Sequence, residues 1–481
     1  MTYYPLAALF LGLLGDWLFR ATPWGLNLPL WVWLAAVAVA LAPGRRDAAQ
    51  RDAQALVGAA GIAAAAVAWR AAPVLTLGNL LATATLLVLA LVRARGARLE
   101  SLDLGRAAVA ALTAAGNVAA GGVPLLAAWR PHPSPAAGRR LRAVTVGIVL
   151  ALPVSAVFTA LLAAADPVFE RAVHLVFSWD PGWIVSHSFL TVVIGWLALG
   201  FLLGFRPRQP EGERQVPAGL PGRPALGLVE LGIPLGALAA LFAIFVGIQA
   251  RYFFGGDAVV LSTAELGWGD YARRGFFELV AVTGLVVPLL LAAHGAVNRA
   301  DPAAVGGVRS LSVVLLGLVA LIAGSACYRL WLYYGVYGLT PTRVYAAALV
   351  TWICLVLAWL GATVLRDRGG AFPIGAVVSG LAVLACLNVL NPDALVARVN
   401  LARATAGAEL DVELLASLSA DAAPALARGV ASLPPATRCT VARAVSARRP
   451  DGGAPDWRNW NAARVRAPSL IATVSGPCGF P

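Results

Sequence analysis

The chain has 481 residues, of which 59% are hydrophobic and only 13% charged, with a mean hydropathy of +0.77. A soluble protein of this size carries roughly 25% charged residues, so a water-soluble globular fold is excluded and a membrane-embedded one is expected. The formal charge is +13, and all 37 basic residues are arginine. The missing lysine excludes P-loop, Schiff-base and kinase-type lysine chemistry. The arginines are scattered between apolar segments, a pattern that orients a chain in a bilayer and does not suggest nucleic-acid binding.

A spanning helix needs about 20 apolar residues, and the apolar runs are read against that length. The N-terminus lacks a charged region before its first apolar run, so that run reads as a span and not a cleavable signal. The first two spans are expected over Pro5 to Phe19 and Trp24 to Leu41, followed by a basic loop with Arg45, Arg46 and Arg51. The next pair covers Ala55 to Trp69 and Val74 to Val92, followed by Arg93, Arg95, Arg98 and Arg106. The Ala- and Gly-rich stretch Ala107 to Ala128 lies between two arginine clusters. Spanning would put one cluster outside, so the stretch is expected to be interfacial or re-entrant.

Seven further spans follow: Val144 to Ala164, Trp183 to Phe205, Leu226 to Gln249, Phe276 to Val297, Leu311 to Trp331, Val344 to Leu365 and Phe372 to Leu390. The loop from Arg206 to Arg223, with Pro and Gly, reads as a cytoplasmic linker. Arg299 with Arg309, and Arg366 with Arg368, mark two more cytoplasmic turns. The expectation is an all-α, polytopic transmembrane bundle of 10–11 spans in the cytoplasmic membrane, N-terminus inside and C-terminus outside. It divides into 1–143 with basic loops, a core bundle over 144–390, and a polar helical tail over 391–481.

In the tail, Pro392 to Thr405, Val412 to Leu418 and Asp421 to Ser432 read as short helices, with Asp411 and Ser419 at N-cap positions. Asp456 to Pro481 has aromatics and arginines without strong periodicity. Cys327, Cys354 and Cys386 lie in apolar segments and read as small core residues. Cys439 and Cys478 are free to pair if the tail is extracytoplasmic.

Ionisable groups within spans are functional candidates by default. Glu230, Glu278, His294 and Arg329 qualify, against a plainer reading as interfacial, snorkelling or structurally paired groups. A polar–aromatic cluster runs from Tyr328 to Arg343, where Arg329, Tyr333 and Tyr337 recur every four residues on one helical face. A second gathers Arg251, Tyr252, Tyr271, Arg273, Arg274 and Glu278. Aromatics at a boundary usually form an interfacial belt. The flanking arginines suggest more, a candidate site for an anionic head group or an envelope polymer on the outer face. Membrane lipids are the expected partners, and neither a cofactor nor a metal is expected. The four histidines, His132, His174, His187 and His294, show no metal spacing, and HExxH and GxSxG are missing. Gly200/Gly204 and Gly232/Gly236 are small-xxx-small steps that permit close helix packing.

The run YRLWLYYGVYGLTPTRVYAAALVTW resembles the hallmark segment of a bacterial membrane family catalogued as domain of unknown function 4173, with its relative 4153. ARYFFGG, YARRGFFELV and the stretch from NPDALVARVNLARA to LSADAAPAL agree in order, and DWRNWN is also similar. The resemblance covers about Pro224 to Leu426 and implies a multi-spanning bacterial protein with no activity to carry over. Pro341 departs from the bulky apolar residue expected there and still suits a turn. Three functions compete. They are a non-enzymatic envelope scaffold or sensor, a transporter or flippase for an anionic substrate, and a membrane enzyme acting on a lipid-linked substrate through acids such as Glu278 with Asp270 or Glu265.

Overall fold

A computed structural model describes residues 3–43, 47–123, 181–206, 226–254, 276–366, 369–447, 456–475 and 478; for 101, 181, 249–254, 276–281, 283, 326, 328–337, 474 and 475 it describes the backbone alone. Among the described residues every regular element is helical, apart from one isolated bridge between Leu226 and Val297. The first half holds α1 (Tyr3–Phe19), α2 (Asn27–Leu41), α3 (Ala48–Trp69), α4 (Pro73–Ala94), α5 (Leu104–Ala120) and α6 (Pro181–Leu203). The second half holds α7 (Leu228–Phe254), α8 (Phe276–Ala296), α9 (Pro302–Tyr337), α10 (Pro341–Thr363) and α11 (Phe372–Leu390). The tail folds as α12 (Pro392–Thr405), α13 (Val412–Ser417), α14 (Ala423–Val430), α15 (Pro435–Ala447) and α16 (Ala462–Ser475).

Proline and short polar side chains punctuate these helices. Proline opens α4, α10, α11 and α12, where its missing N–H costs nothing. Asp47 and Asp103 cap α3 and α5 by accepting from Gln50 N and Arg106 N, both at 2.8 Å. Seven of the helices are long and apolar enough to cross a membrane, and four shorter apolar ones accompany them, Tyr3–Phe19, Asn27–Leu41, Leu104–Ala120 and Gly284–Ala296. Their outward faces carry large apolar side chains, such as Ile62 and Leu285, each more than 70% exposed. A surface of that kind belongs in hydrocarbon. The protein is an all-α membrane protein.

The helices run alternately between two faces. One face collects the basic turns. There Arg93, at the end of α4, pairs with Asp52 at the start of α3 at 2.7 Å, and Gln50 donates to the carbonyl of Phe205 beyond α6. Arg299 and Arg309 border a small cleft with Val364 at the end of α10. The other face carries the tail, which binds the α1–α2 turn, the α3–α4 turn and the end of α11. The chain ends α4 on the basic face and begins α6 on the tail face. The expected span Val144 to Ala164 lies outside the described residues. Of Ala107 to Ala128, residues 107–120 are helical within α5, which packs on α4 and α6.

Among the described residues the bundle holds three apolar cores. Leu11, Val39, Val57, Leu91 and Leu202 close the first, and Leu235, Leu290, Leu315 and Leu360 close the second. The helix α11 joins the second core through Phe372 and lays Leu381 on the third and smallest, formed by Leu28, Val32, Ala60 and Leu86 of α2–α4. The expected glycine steps divide. A Cβ on Gly200 would stand 2.3 Å from the Val118 carbonyl of α5, so that step is a true close approach. Gly236 has no described atom within 4 Å and mediates no packing among the described residues. A second close seam, not anticipated, lies between α1 and α6, where a Cβ on Gly12 would meet Thr191 O at 2.6 Å and Gly195 Cα at 2.9 Å.

Three boundaries differ from expectation. The helix α9 runs over 36 residues, well beyond Leu311 to Trp331; it starts at Pro302, about two and a half turns before Leu311, where Asp301 accepts from Ala303 N at 2.9 Å. Asp421 lies in a 3-10 turn capped by Ser419, so the helix expected over Asp421 to Ser432 is shorter, as α14. The region after Asp456, without visible periodicity, forms α16, started by Asn461 Oδ1 accepting from Ala463 N at 3.0 Å.

Candidate functional site

Among the described residues, a gathering of buried polar groups lies where the tail meets the bundle. Asp421 is its centre, with a side chain of 0% exposure. Its Oδ2 accepts from the backbone amides of Ala71 and Ala72, both at 2.7 Å, in the α3–α4 turn. Its Oδ1 makes no hydrogen bond but stands 3.7 Å from the Arg70 guanidinium. Arg70 Nε donates to the Asn388 carbonyl at 2.7 Å, near the end of α11. One carboxylate thus ties the tail to two amides that would otherwise be buried without partners, and one arginine ties α3 to α11. Burial pushes the Asp421 carboxyl above the usual carboxylate range, the two amides and Arg70 pull it back, and Asp393 adds to the rise. Burial likewise draws Arg70 below the ordinary guanidinium range, against the pull of Asp421.

Amides complete the network. Asn79 of α4 and Asn388 of α11 exchange two hydrogen bonds at 3.0 and 2.9 Å, and both are buried. Asn391 sits in left-handed backbone, φ 56°, between α11 and α12. Its Oδ1 caps α12 through Ala394 N, and its Nδ2 donates to the Asp421 carbonyl at 3.0 Å. Asp393 accepts from Ser419 N at 2.9 Å. Asn400 of α12 brackets the α9–α10 turn, accepting from Leu339 N at 3.1 Å and donating to Leu339 O at 2.7 Å. Gly338, at φ 74°, leaves only 2.7 Å between its absent Cβ and Asn400 Oδ1, so this turn requires glycine. The Tyr345 hydroxyl is buried within electrostatic reach of Asp393 and Asp421 and makes no hydrogen bond among the described residues.

A second clasp joins the end of the tail to the α1–α2 and α3–α4 turns. Asn461 donates to the carbonyls of Val67 and Arg70 at 2.9 and 2.8 Å. Leu26 N donates to Trp460 O at 2.9 Å, and Arg464 Nη2 donates to Trp24 O at 2.7 Å. Cys439 and Cys478 form a disulfide with Cα atoms 5.5 Å apart, which ties the chain beyond α16 to α15.

Two further features lie in the first half. At the tail-side end of the α1–α6 seam, the buried Asp16 carboxylate receives Arg20 at 2.8 Å and contacts His187 Nδ1, while Arg20 reaches Ser186 Oγ at 2.9 Å. On the basic face a cleft of about 670 Å³ opens between the two halves, lined by Asp52, Leu56, Arg93, Arg98, Glu100 and Ile374. Arg93 is already engaged there in a two-pronged bond to Asp52.

Of the residues expected at a site, Arg343 is described. Its amide is capped by Thr340, and its Nη1 donates to the Gly338 carbonyl, so it closes the α9–α10 turn. Tyr271, Arg273 and Arg274, like Glu265 and Asp270, lie outside the described residues. The side chains of Arg251, Tyr252, Glu278, Arg329, Tyr333 and Tyr337 also lie outside them. Glu230 stands in the first turn of α7, where a carboxylate complements the helix dipole. His294 Nδ1 lies 3.0 Å from the Leu290 carbonyl one turn earlier. What residue-by-residue reading missed is Asp421, Arg70, Asn79 and Asn388. A signal existed: an asparagine two turns inside one span and another near the end of a second are costly unless they meet.

A family described as Domain of unknown function (DUF4153) matches residues 57–429. The chain belongs to this family. The relative 4153 is therefore the supported label, and 4173 is not confirmed. No curated protein and no solved structure matches the chain. The DUF4153 region takes in Arg70, Asn79, Asn388, Asn391, Asp393, Asn400 and Asp421, whereas Asp456 to Asn461 lies beyond it. The resembling stretches GLTPTR, NPDALVARVN and LSADAAPAL thus meet at one place, the underside of the tail.

Proposed function

We propose that this DUF4153 protein is a non-enzymatic scaffold or sensor of the bacterial cell envelope, whose tail domain is a latched extracytoplasmic module. The observation that carries this reading is the Asp421 carboxylate, wholly buried and shared between tail and bundle. A free appendage would not need an acid sealed against a turn of the bundle. A latched one would, because such a contact has two discrete states, made and broken, and a signal on one face is passed on by favouring either. The multi-pass topology has the N-terminus in the cytoplasm and the tail outside. Its support is the position of the arginine-rich turns opposite the tail and the disulfide within the tail.

Arg251, Tyr252, Tyr271, Arg273, Arg274, Glu278, Arg329, Tyr333, Tyr337 and Arg343 remain the proposed surface for an anionic head group or envelope polymer. What supports it is that α7 and α9 end, and α8 and α10 begin, towards the tail face. The test is purification of the full chain in native lipid discs, comparing wild type with Asp421→Ala. The latch reading expects faster amide exchange in α12–α14 of the variant, with the spans still protected. Co-purification of a stoichiometric substrate within the bundle, or flux into vesicles, would overturn it in favour of transport.

A further inference from the structure

Six tryptophans stand at one level of the molecule, that of the tail face. Trp69 ends α3, Trp183 lies near the start of α6, and Trp17 and Trp24 flank the α1–α2 turn. Trp457 and Trp460 come from the tail. All six are exposed, by 39% to 61%. Exposed tryptophans at the ends of apolar helices mark the boundary between hydrocarbon and water, where an apolar ring with one polar N–H is best solvated. The two from the tail are fixed at that level by direct contacts. The Trp457 ring lies 5.4 Å from that of Trp17, and Leu26 N bonds to Trp460 O at 2.9 Å.

We infer that Trp457 and Trp460 are inserted into the head-group layer of the bilayer, so that the DWRNWN segment is a lipid anchor for the tail domain. This goes beyond the latch, because it gives the tail a second hold that does not run through the protein. The two arginines nearest these rings, Arg458 and Arg464, do not supply it. Arg458 is spent on Asp456, at 2.9 and 2.6 Å, and on the Trp17 carbonyl, with its guanidinium 5.1 Å above the Trp17 ring. Arg464 is spent on the carbonyls of Pro23, Trp24 and Asn459. With Arg458 and Arg464 engaged internally, the hold of Trp457 and Trp460 is aromatic, and it reaches the interfacial layer of neutral and anionic lipids alike. Val465, exposed on the first turn of α16, extends the same apolar edge.

The test uses the full-length, disulfide-bonded chain in vesicles of phosphatidylcholine alone, or mixed with phosphatidylglycerol. A photo-crosslinking benzoylphenylalanine replaces Trp457, Trp460 or, as a control, Glu413, an exposed residue of α13. Lipid adducts at both tryptophan positions, several-fold above the control and unchanged by phosphatidylglycerol or salt, are expected. Adducts no more frequent than at Glu413 would overturn the inference. So would adducts that appear only with the anionic lipid, which would make the contact electrostatic. Should these replacements fail to fold, Trp457→Phe and Trp460→Phe serve in vesicles of lipids brominated near the head group. Each is expected to remove part of the quenched tryptophan fluorescence, and an unchanged quenched fraction overturns the anchor.

Discussion

Around α1–α4 and α6 the helices approach to backbone contact at glycine, and they carry buried Asp16, Asn27, Asn79 and Thr83. Around α7–α10 the described core is mainly aliphatic, through Leu235, Leu290, Leu315, Val319 and Leu360, and the buried hydroxyls of Ser312 and Thr363 turn back to carbonyls of their own helices. Apolar ridges alone hold helices weakly in lipid, since hydrocarbon tails solvate leucine as well as another helix does. Polar contacts and close backbone approach add what lipid does not offer. The tail docks on the first kind of region, and that region is therefore the fixed part of the molecule. The second half joins it through α11, the tail and the α9–α10 turn held by Asn400.

The sharpest way to break this comparison is to remove the carboxylate at its centre. Asp421→Ala leaves the Ala71 and Ala72 amides and the Arg70 guanidinium buried without their partner. Removing one side of such a buried pair costs about 3–5 kcal/mol. Amide exchange in α12–α14 is expected to accelerate strongly, with little change in α7–α9; equal acceleration in both halves would erase the distinction. The same residue carries a pH dependence. Because burial raises the Asp421 pKa in the docked state, that state holds more protons than the undocked one between the ordinary carboxylate value and the raised one. Docking is therefore expected to tighten as pH falls through the raised pKa and to level off below the ordinary value. Oδ1, which has no hydrogen bond, is the oxygen able to take the proton. Exchange rates measured against pH, with Asp421→Asn as the titration-free reference, check the sign.

How much of this was legible in the sequence follows from which forces are local. Apolar runs and arginine turns mark ten helices of the bundle, because a span is defined by its own composition. Caps such as Asp411 are equally local, and the structure keeps Asp411 on α13. The helix α16 was not legible, since it contains Pro468 and no apolar stripe, and it is held by Asn461 and the disulfide. The centre of the site was hidden for a related reason. Asp421 reads as a helix-start acid in a polar tail, and its partners are about 350 residues away. Arg70 reads as a loop charge between two spans. Pairing across that distance leaves no trace in spacing, and only the cost of Asn79 and Asn388 inside apolar runs pointed towards it.

The next effect is expected at the glycine seam. Gly12→Ala forces a methyl against Thr191 O and Gly195 Cα, both backbone, so α1 and α6 must separate. Overpacking of this kind costs about 1–3 kcal/mol. Gly236→Ala in α7 meets nothing described within 4 Å and is expected to stay within about 0.5 kcal/mol of wild type. Thermal unfolding of the two variants in the same detergent compares the halves directly. A Gly236 variant as damaged as Gly12→Ala would mean that the second half is as tightly seamed as the first.

The smallest expected effect lies where the two regions join. Asn388→Leu removes both hydrogen bonds to Asn79, so one amide remains buried in an apolar setting. Inter-helix hydrogen bonds in bilayers average about 0.6 kcal/mol and reach about 1.7, so the single variant is expected to lose about 1 kcal/mol. The double variant Asn79→Leu with Asn388→Leu leaves no orphan and is expected to recover part of that loss. Arg70 reports on the same change independently, because it bonds the Asn388 carbonyl and not its side chain. A tail that stays docked in both variants, read by exchange in α12, would confirm that the Asn pair positions α11 against α4 while Asp421 holds the tail. A tail that releases would make the amide pair part of the latch, and the boundary between the two regions would move inward to α11.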